Sequence, residues 1–156
     1  MKFLGCLVAA LAGIVVCPAY AQQELEPLQR YLQRPPEQLN ASYAFERCAG
    51  LHLGVLDYGG AFLPLQLQQN SQQLVVLLTR VATTLRVHGA AADLDAMTKY
   101  VVDDVDRIAK LYHSRMKNNY AASGEAWGSD PTIQSDLIAC NVVIEVAGKA
   151  YPSFKE

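Results

Sequence analysis

The chain lacks the short motifs that mark common catalytic and metal-binding sites. None of its three histidines belongs to a His-x-x-x-His, Glu-x-x-His or Cys/His pattern at ligand spacing, and there is no Cys-x-x-Cys pair. No serine lies in Gly-x-Ser-x-Gly, and no glycine-rich phosphate-binding loop occurs. We therefore expect neither a cofactor nor a bound metal, and an enzyme is the least favoured class of function.

Charged residues and strand-forming patterns are also scarce. The sequence has 13 Lys and Arg against 15 Asp and Glu, a net charge of −2, and no basic tract. Proteins bind nucleic acid through clustered basic side chains, so we expect no nucleic-acid partner. No run of Val, Ile and Thr alternates with period two between turn signals, so the pattern predicts no β-sheet.

The first 21 residues have the three parts of a secretory signal peptide. Lys2 supplies the positive charge, an apolar run of 14 residues covers 3–16, and Ala19 and Ala21 place small residues before a cleavage site. Cleavage near Ala21 would release a chain of 135 residues, enough for one domain. We expect a periplasmic or secreted protein with no stable membrane anchor after cleavage.

Two other interpretations of the leader stay open. A membrane anchor would need roughly 20 apolar residues, and Pro18 follows the shorter run found here. A lipoprotein would use Cys17, although Val16 stands where such sequences have a small residue. Cleavage by signal peptidase after Ala21 fits both features better.

Only two of the four cysteines, Cys48 and Cys140, remain once the leader is removed. An exported chain enters an oxidising compartment, and two cysteines permit one intramolecular pairing. The sequence therefore predicts a Cys48–Cys140 disulfide. Two buried free thiols are the alternative, because cysteine is also a common core residue.

Apolar residues recur at helical spacing in five segments, which predicts an all-α bundle of four main helices plus a short N-terminal helix. Both cysteines fall on apolar faces, so the disulfide would make the first and last main helices neighbours. Asn40 or Ser42 is expected to cap the first main helix, and Ser129 or Asp130 the last. The predicted division is a signal peptide over 1–21, a short helix and linker over 22–39 and a bundle domain over 40–156, with main helices at about 40–58, 63–88, 92–120 and from Pro131 to Pro152.

Several polar residues have both a functional and a structural interpretation. His113 and Met116 lie three apart and could bind copper, but a half-buried histidine and a core methionine explain them equally. Asn40-Ala41-Ser42 matches a glycosylation sequon, and a helix cap explains it too. The acidic residues of the fourth helix predict a charge-balanced solvated face with two i,i+4 ion pairs, which are Asp103–Arg107 and Asp106–Lys110.

The stretch over 120–130 is the strongest candidate for a recognition site. It contains Trp127, the only tryptophan, with Tyr120 and Glu125 close by, and aromatic side chains are favoured binding anchors. Alternatively, Trp127 folds back to cap the core with its N–H bonded locally. Tyr58 with the following two glycines is a second, weaker candidate.

The leading hypothesis is a non-catalytic module that binds another exported protein, because the sequence contains no catalytic constellation. A carrier of a small apolar ligand in the bundle core is one alternative. A cell-envelope enzyme is the other, and it would require a cleft that gathers His52, Asp57 or His113 with a serine.

Overall fold

The computed structural model describes residues 25–90, 93–150 and 152, and these contain helices but no strand. The predicted all-α bundle is confirmed. The predicted signal peptide, over 1–21, lies outside the described residues. Within the described residues the structure has the 3₁₀ turns Pro36–Gln38 and Gly60–Phe62 and the helices α1 (Leu28–Leu32), α2 (Tyr43–Gly59), α3 (Leu65–Ala90), α4 (Leu94–Ser123) and α5 (Pro131–Ala150).

The helix boundaries lie close to those predicted, with one difference that shapes the candidate loop. Helix α4 continues to Ser123 instead of ending near Tyr120. It stops at Gly124, whose φ of 76° is left-handed and whose N–H donates to the Tyr120 carbonyl at 2.8 Å. The connection to α5 is therefore short, covering only 124–130.

Helix α2 lies at the centre of the bundle and contacts α3, α4 and α5. Two of its glycines allow close contact with α4, because a Cβ on Gly54 would lie 2.9 Å from the Ala109 carbonyl oxygen and one on Gly50 would lie 2.7 Å from Ile108 Cβ. Ordinary side chains at these positions would push the two helices apart. Position 50 lies beside position 108, and position 54 lies beside position 109. Because both numbers increase together, α2 and α4 run parallel.

The predicted disulfide is present. Cys48 on α2 and Cys140 on α5 are bonded, with their Cα atoms 5.5 Å apart. Both side chains are buried, at 0% and 1% exposure. The bond links the central helix to the last one, as the apolar faces indicated.

The N-terminal segment is packed onto the bundle. Leu28 of α1 is fully buried, and its N–H donates to Oδ1 of Asp136 on α5 at 2.6 Å. Leu28 therefore contributes to the same core as the four main helices.

The topology brings several chain ends together at one end of the bundle. Tyr58, near the end of α2, contacts His113 of α4 and Trp127 of the last loop. Arg115 of α4 binds Asp130, immediately before α5. The C-terminal ends of α2 and α4, the turn into α3 and the start of α5 thus surround one surface.

Candidate functional site

A cleft of about 410 Å³ lies at this end of the bundle. It is lined by Tyr58, Tyr120 and the loop residues 124–128, and we call it the aromatic cleft. The three residues predicted for the interaction loop, Tyr120, Glu125 and Trp127, all line it. Tyr58, the weaker candidate, lines it too, so the two sequence candidates form one site.

Trp127 both supports the cleft and packs against the core. Its ring is half-buried and meets the Tyr58 ring edge-on, with centroids 6.0 Å apart. Tyr58 in turn meets the His113 ring at 6.0 Å. Trp127 therefore caps the core in part, as the alternative interpretation predicted. That interpretation also predicted a local hydrogen bond from the indole N–H, but this group has no acceptor among the described residues.

Asp130 holds the loop and begins α5. Its Oδ1 accepts hydrogen bonds from the N–H groups of Thr132 and Ile133, each at 2.9 Å, so Asp130 is the expected cap. Its Oδ2 accepts from Arg115 Nε at 2.6 Å and from Asn119 Nδ2 at 2.8 Å. One carboxylate thus fixes the loop against α4, which keeps the cleft preformed.

The same contacts shift the titration of Asp130. Burial by itself would raise the pKa of Asp130, but the hydrogen bonds from Ile133, Arg115 and Asn119 outweigh it and hold the pKa below its ordinary value of 3.8. The lowered pKa adds stability that is fully present above the pKa of the unfolded chain and is lost as the pH falls through the folded pKa.

Replacing Asp130 with alanine is expected to lower the free energy of unfolding by about 1–2 kcal/mol at neutral pH, because the cap and both contacts with α4 disappear. The difference from wild type should shrink below about pH 4 as the carboxylate protonates. Urea unfolding at several pH values measures it. Ser129→Ala is the control, since Ser129 does not cap; an equal loss in that variant would contradict the assignment.

Large apolar side chains are also exposed at the end of the bundle that carries the aromatic cleft. Phe62, in the turn between α2 and α3, is 99% exposed, Leu65 is 68% exposed and Tyr120 is 58% exposed. Together with Tyr58 and Trp127 they form what we call the aromatic end. Large apolar side chains clustered around a cleft are typical of protein-binding surfaces.

A second exposed apolar surface lies on α5. Ile138, Val142 and Val146 recur every four residues and are 65%, 59% and 51% exposed. This stripe is aliphatic, and none of its members lines the aromatic cleft.

A buried polar centre that was not predicted from the sequence lies beside the disulfide. Arg47 of α2 donates to Oδ2 of Asp136 at 2.5 Å and to the Tyr43 hydroxyl at 3.0 Å. Tyr112 of α4 accepts from Arg47 and donates to Asp136. Arg47, Asp136 and Tyr112 are at most 1% exposed.

Arg47 stays charged and Tyr112 stays protonated in the polar centre. Burial by itself would lower the pKa of Arg47, but Tyr112 and Asp136 raise it above its ordinary value, so the guanidinium stays charged. Burial raises the pKa of Tyr112 well above its ordinary value, so its hydroxyl stays protonated. The polar groups of Arg47, Tyr112 and Asp136 bind one another, so the centre is a bonded structural network.

The adjacent residue of α2 forms a second ion pair. Glu46 is fully buried, and both its oxygens bind Arg86 of α3, at 2.9 and 3.0 Å. This hydrogen bond raises the pKa of Arg86. Arg86 also lies 3.4 Å from Asp104 of α4. Three consecutive residues, 46–48, thus tie α2 to three different helices.

One predicted pair on α4 is wrong. Asp106–Lys110 forms at 2.6 Å, but Asp103 pairs with Lys99 at 2.6 Å, and Arg107 pairs with Asp104 at 3.0 Å. Asp104, which is turned inward toward Arg86, also lies within reach of Arg107. The face is charge-balanced as predicted, with different partners.

The histidines do not gather with other catalytic or ligating groups in the part of the chain that the structure describes. Burial lowers the pKa of His52, and His113 packs against Tyr58 while Met116 is fully buried. No three His, Cys, Asp or Glu side chains of the described ranges could hold a metal ion together. Asn40 of the sequon uses its side-chain oxygen to accept from Ser42 N–H at 3.1 Å and from its hydroxyl at 2.8 Å.

A search with protein-family models, with curated proteins and with solved structures finds no match to this chain. Within 25–90, 93–150 and 152, no helix has both the length and the apolar composition to cross a membrane.

Proposed function

We propose that this protein is exported and that its helical domain, without catalysing a reaction, binds another protein through the aromatic end. The leader pattern supports export. The Cys48–Cys140 bond is compatible with an oxidising compartment. The residues that support binding include the aromatic side chains of Tyr58, Tyr120 and Trp127, and the loop that carries Trp127 is tied to α4 through Asp130.

The observation that carries this proposal is the exposure of Phe62 in the turn after α2, at the same end of the bundle as the cleft. A phenylalanine that is 99% exposed forgoes the roughly 1.5–3 kcal/mol that burial of its ring would contribute. A partner that covers Phe62, Leu65 and Tyr120 would recover that free energy. The cleft at the same end of the bundle is preformed, so little ordering is needed when a partner binds.

Photo-crosslinking tests the proposal directly. With benzoylphenylalanine in place of Phe62, the mature chain is expected to form a crosslink of defined mass in cell-envelope extract of the source organism. Leu94 is the matched control, because it is 59% exposed at the opposite end of the bundle. Val142 is a second control, on the α5 stripe. Crosslinks at the control positions, or at no position, would contradict the proposal.

Affinity for the captured partner should depend on the same surface. Tyr120→Ala is expected to weaken binding by about 1–2 kcal/mol, or roughly 5- to 30-fold, as for an aromatic anchor. Tyr120 is exposed, so its removal should leave the free energy of unfolding almost unchanged. Calorimetric titration with the purified partner measures the loss.

A further inference from the structure

Glu125 is the only charged residue among the described residues that line the aromatic cleft. Its carboxylate forms no hydrogen bond or ion pair with the described part of the chain, whereas the nearby carboxylate of Asp130 accepts four hydrogen bonds. The Glu125 side chain instead lies over Gly128, where a Cβ would come within 3.1 Å of Oε2. An acceptor beside the cleft is therefore free for a ligand.

The rest of the cleft wall is aromatic. Tyr58 and Trp127 stand edge to face, and Tyr120 lies on the other side with more than half of its surface exposed. Aromatic faces attract cations, and a carboxylate adds a charge-assisted hydrogen bond. A neutral apolar side chain would gain no electrostatic attraction from Glu125, and an acidic one would be repelled.

Resting on the function proposed above, we propose that the aromatic cleft receives a basic side chain, an arginine or a lysine, of the partner protein. The alkyl stem packs on the Tyr120 and Trp127 rings, and the cationic head binds Glu125. The exposed side chains of Phe62 and Leu65 contact the residues on either side. A protein partner is favoured over a free small amine because these side chains extend the surface well beyond the cleft.

The protein carries its own reporter for the test. Trp127 is the only tryptophan, so the indole N–H resonance and the fluorescence both report on the cleft. The probes are two acetylated pentapeptides, Gly-Gly-Arg-Gly-Gly and the same peptide with citrulline, which has nearly the shape of arginine but no charge. Each is titrated to about 10 mM, the range expected for single-side-chain binding.

The arginine peptide is expected to shift the indole resonance and to bind more tightly than the citrulline peptide. Glu125→Gln should weaken arginine binding roughly 2- to 5-fold and leave citrulline binding unchanged. Glu145→Gln is the matched control, because Glu145 is an exposed glutamate on α5 paired with Lys149. Added salt should also weaken arginine binding.

Equal binding of the two peptides, no arginine-dependent shift at Trp127, or an unchanged affinity in Glu125→Gln would each overturn the inference. These results are separable from failure of the proposed function. If the affinity for the crosslinked partner depends on Tyr120 but not on Glu125, the aromatic end binds a protein. The inference that a basic side chain occupies the cleft is then refuted. If no partner crosslinks at Phe62, the proposed function fails whatever the peptides do.

Discussion

Replacing Asp136 with alanine is expected to lower the free energy of unfolding by about 3–5 kcal/mol, a large part of the stability of a domain this size. Arg47 would remain charged in the core without its carboxylate, and the Tyr112 hydroxyl would lose its acceptor. The Leu28 N–H would lose its acceptor as well. Urea denaturation followed by circular dichroism measures the change.

Two controls separate this effect from general sensitivity to mutation. Asp103→Ala also removes an acidic residue with a basic partner, but that side chain is 64% exposed, so its loss should cost at most about 1 kcal/mol. The double variant Arg47→Met, Asp136→Leu removes both buried charges and should be more stable than Asp136→Ala. A loss at Asp136 no larger than at Asp103 would contradict the structural role of the polar centre.

The positions of Arg47 and Asp136 in the sequence do carry a signal. Asp136 lies three residues after Ile133 and four before Cys140, so it falls on the apolar face of α5. Arg47 lies four residues before Leu51 and beside Cys48, so it too falls on a buried surface. A basic residue on the apolar face of one helix and an acidic residue on that of another, when a disulfide joins the two helices, favour a buried ion pair.

Tyr112 as a third partner could not be predicted in the same way. Its periodicity places it correctly in the core of α4, but periodicity does not say which neighbour its hydroxyl meets. That depends on the close approach of α2 and α4, which the glycines at positions 50 and 54 permit. The crossing of two helices is a property of packed side chains and not of either sequence segment alone.

The candidate site shows the same division between local and tertiary information. Trp127, Tyr120 and Glu125 could be chosen from the sequence because they lie near one another in a polar loop between two strong helical patterns. Their meeting with Tyr58 required knowing that α2 and α4 run parallel and end on the same side. The exposure of Phe62 was not predictable, because sequence alone predicts that an isolated apolar residue in a turn is buried in the core.

The local ion pairs illustrate the limit most simply. Sequence spacing permits Arg107 to pair with Asp103 or with Asp104, at four or three residues. In the structure Asp103 pairs with Lys99, and Asp104 lies between Arg107 and Arg86 of another helix. Helices and their caps follow from nearby residues, whereas the partners of charged side chains follow from the packing.

Removing the disulfide with Cys48→Ala and Cys140→Ala is expected to lower the free energy of unfolding by about 2–4 kcal/mol. The bond joins residues 92 apart, and the chain-entropy model for a loop of that size gives about 4.6 kcal/mol, of which proteins usually realise less. Far-UV circular dichroism should remain helical, because the helices are defined by their apolar faces. Urea unfolding of the double variant beside wild type measures the loss.

The same two cysteines test the export proposal, because oxidation depends on where the chain folds. Expressed with its leader in a bacterial host, the protein should begin at Gln22 and contain no free thiol, whereas a form lacking 1–21 and kept in a reducing cytosol should contain two. The reduced form should unfold at the lower urea concentration of the double alanine variant.

A leader-bearing protein that kept residues 1–21 and both thiols would refute export. A double variant as stable as wild type would refute the stabilising role of the bond. Since Cys48 and Cys140 are buried, at 0% and 1% exposure, reductant should act on the oxidised protein only when it unfolds, so its thiols must be counted by alkylation in urea.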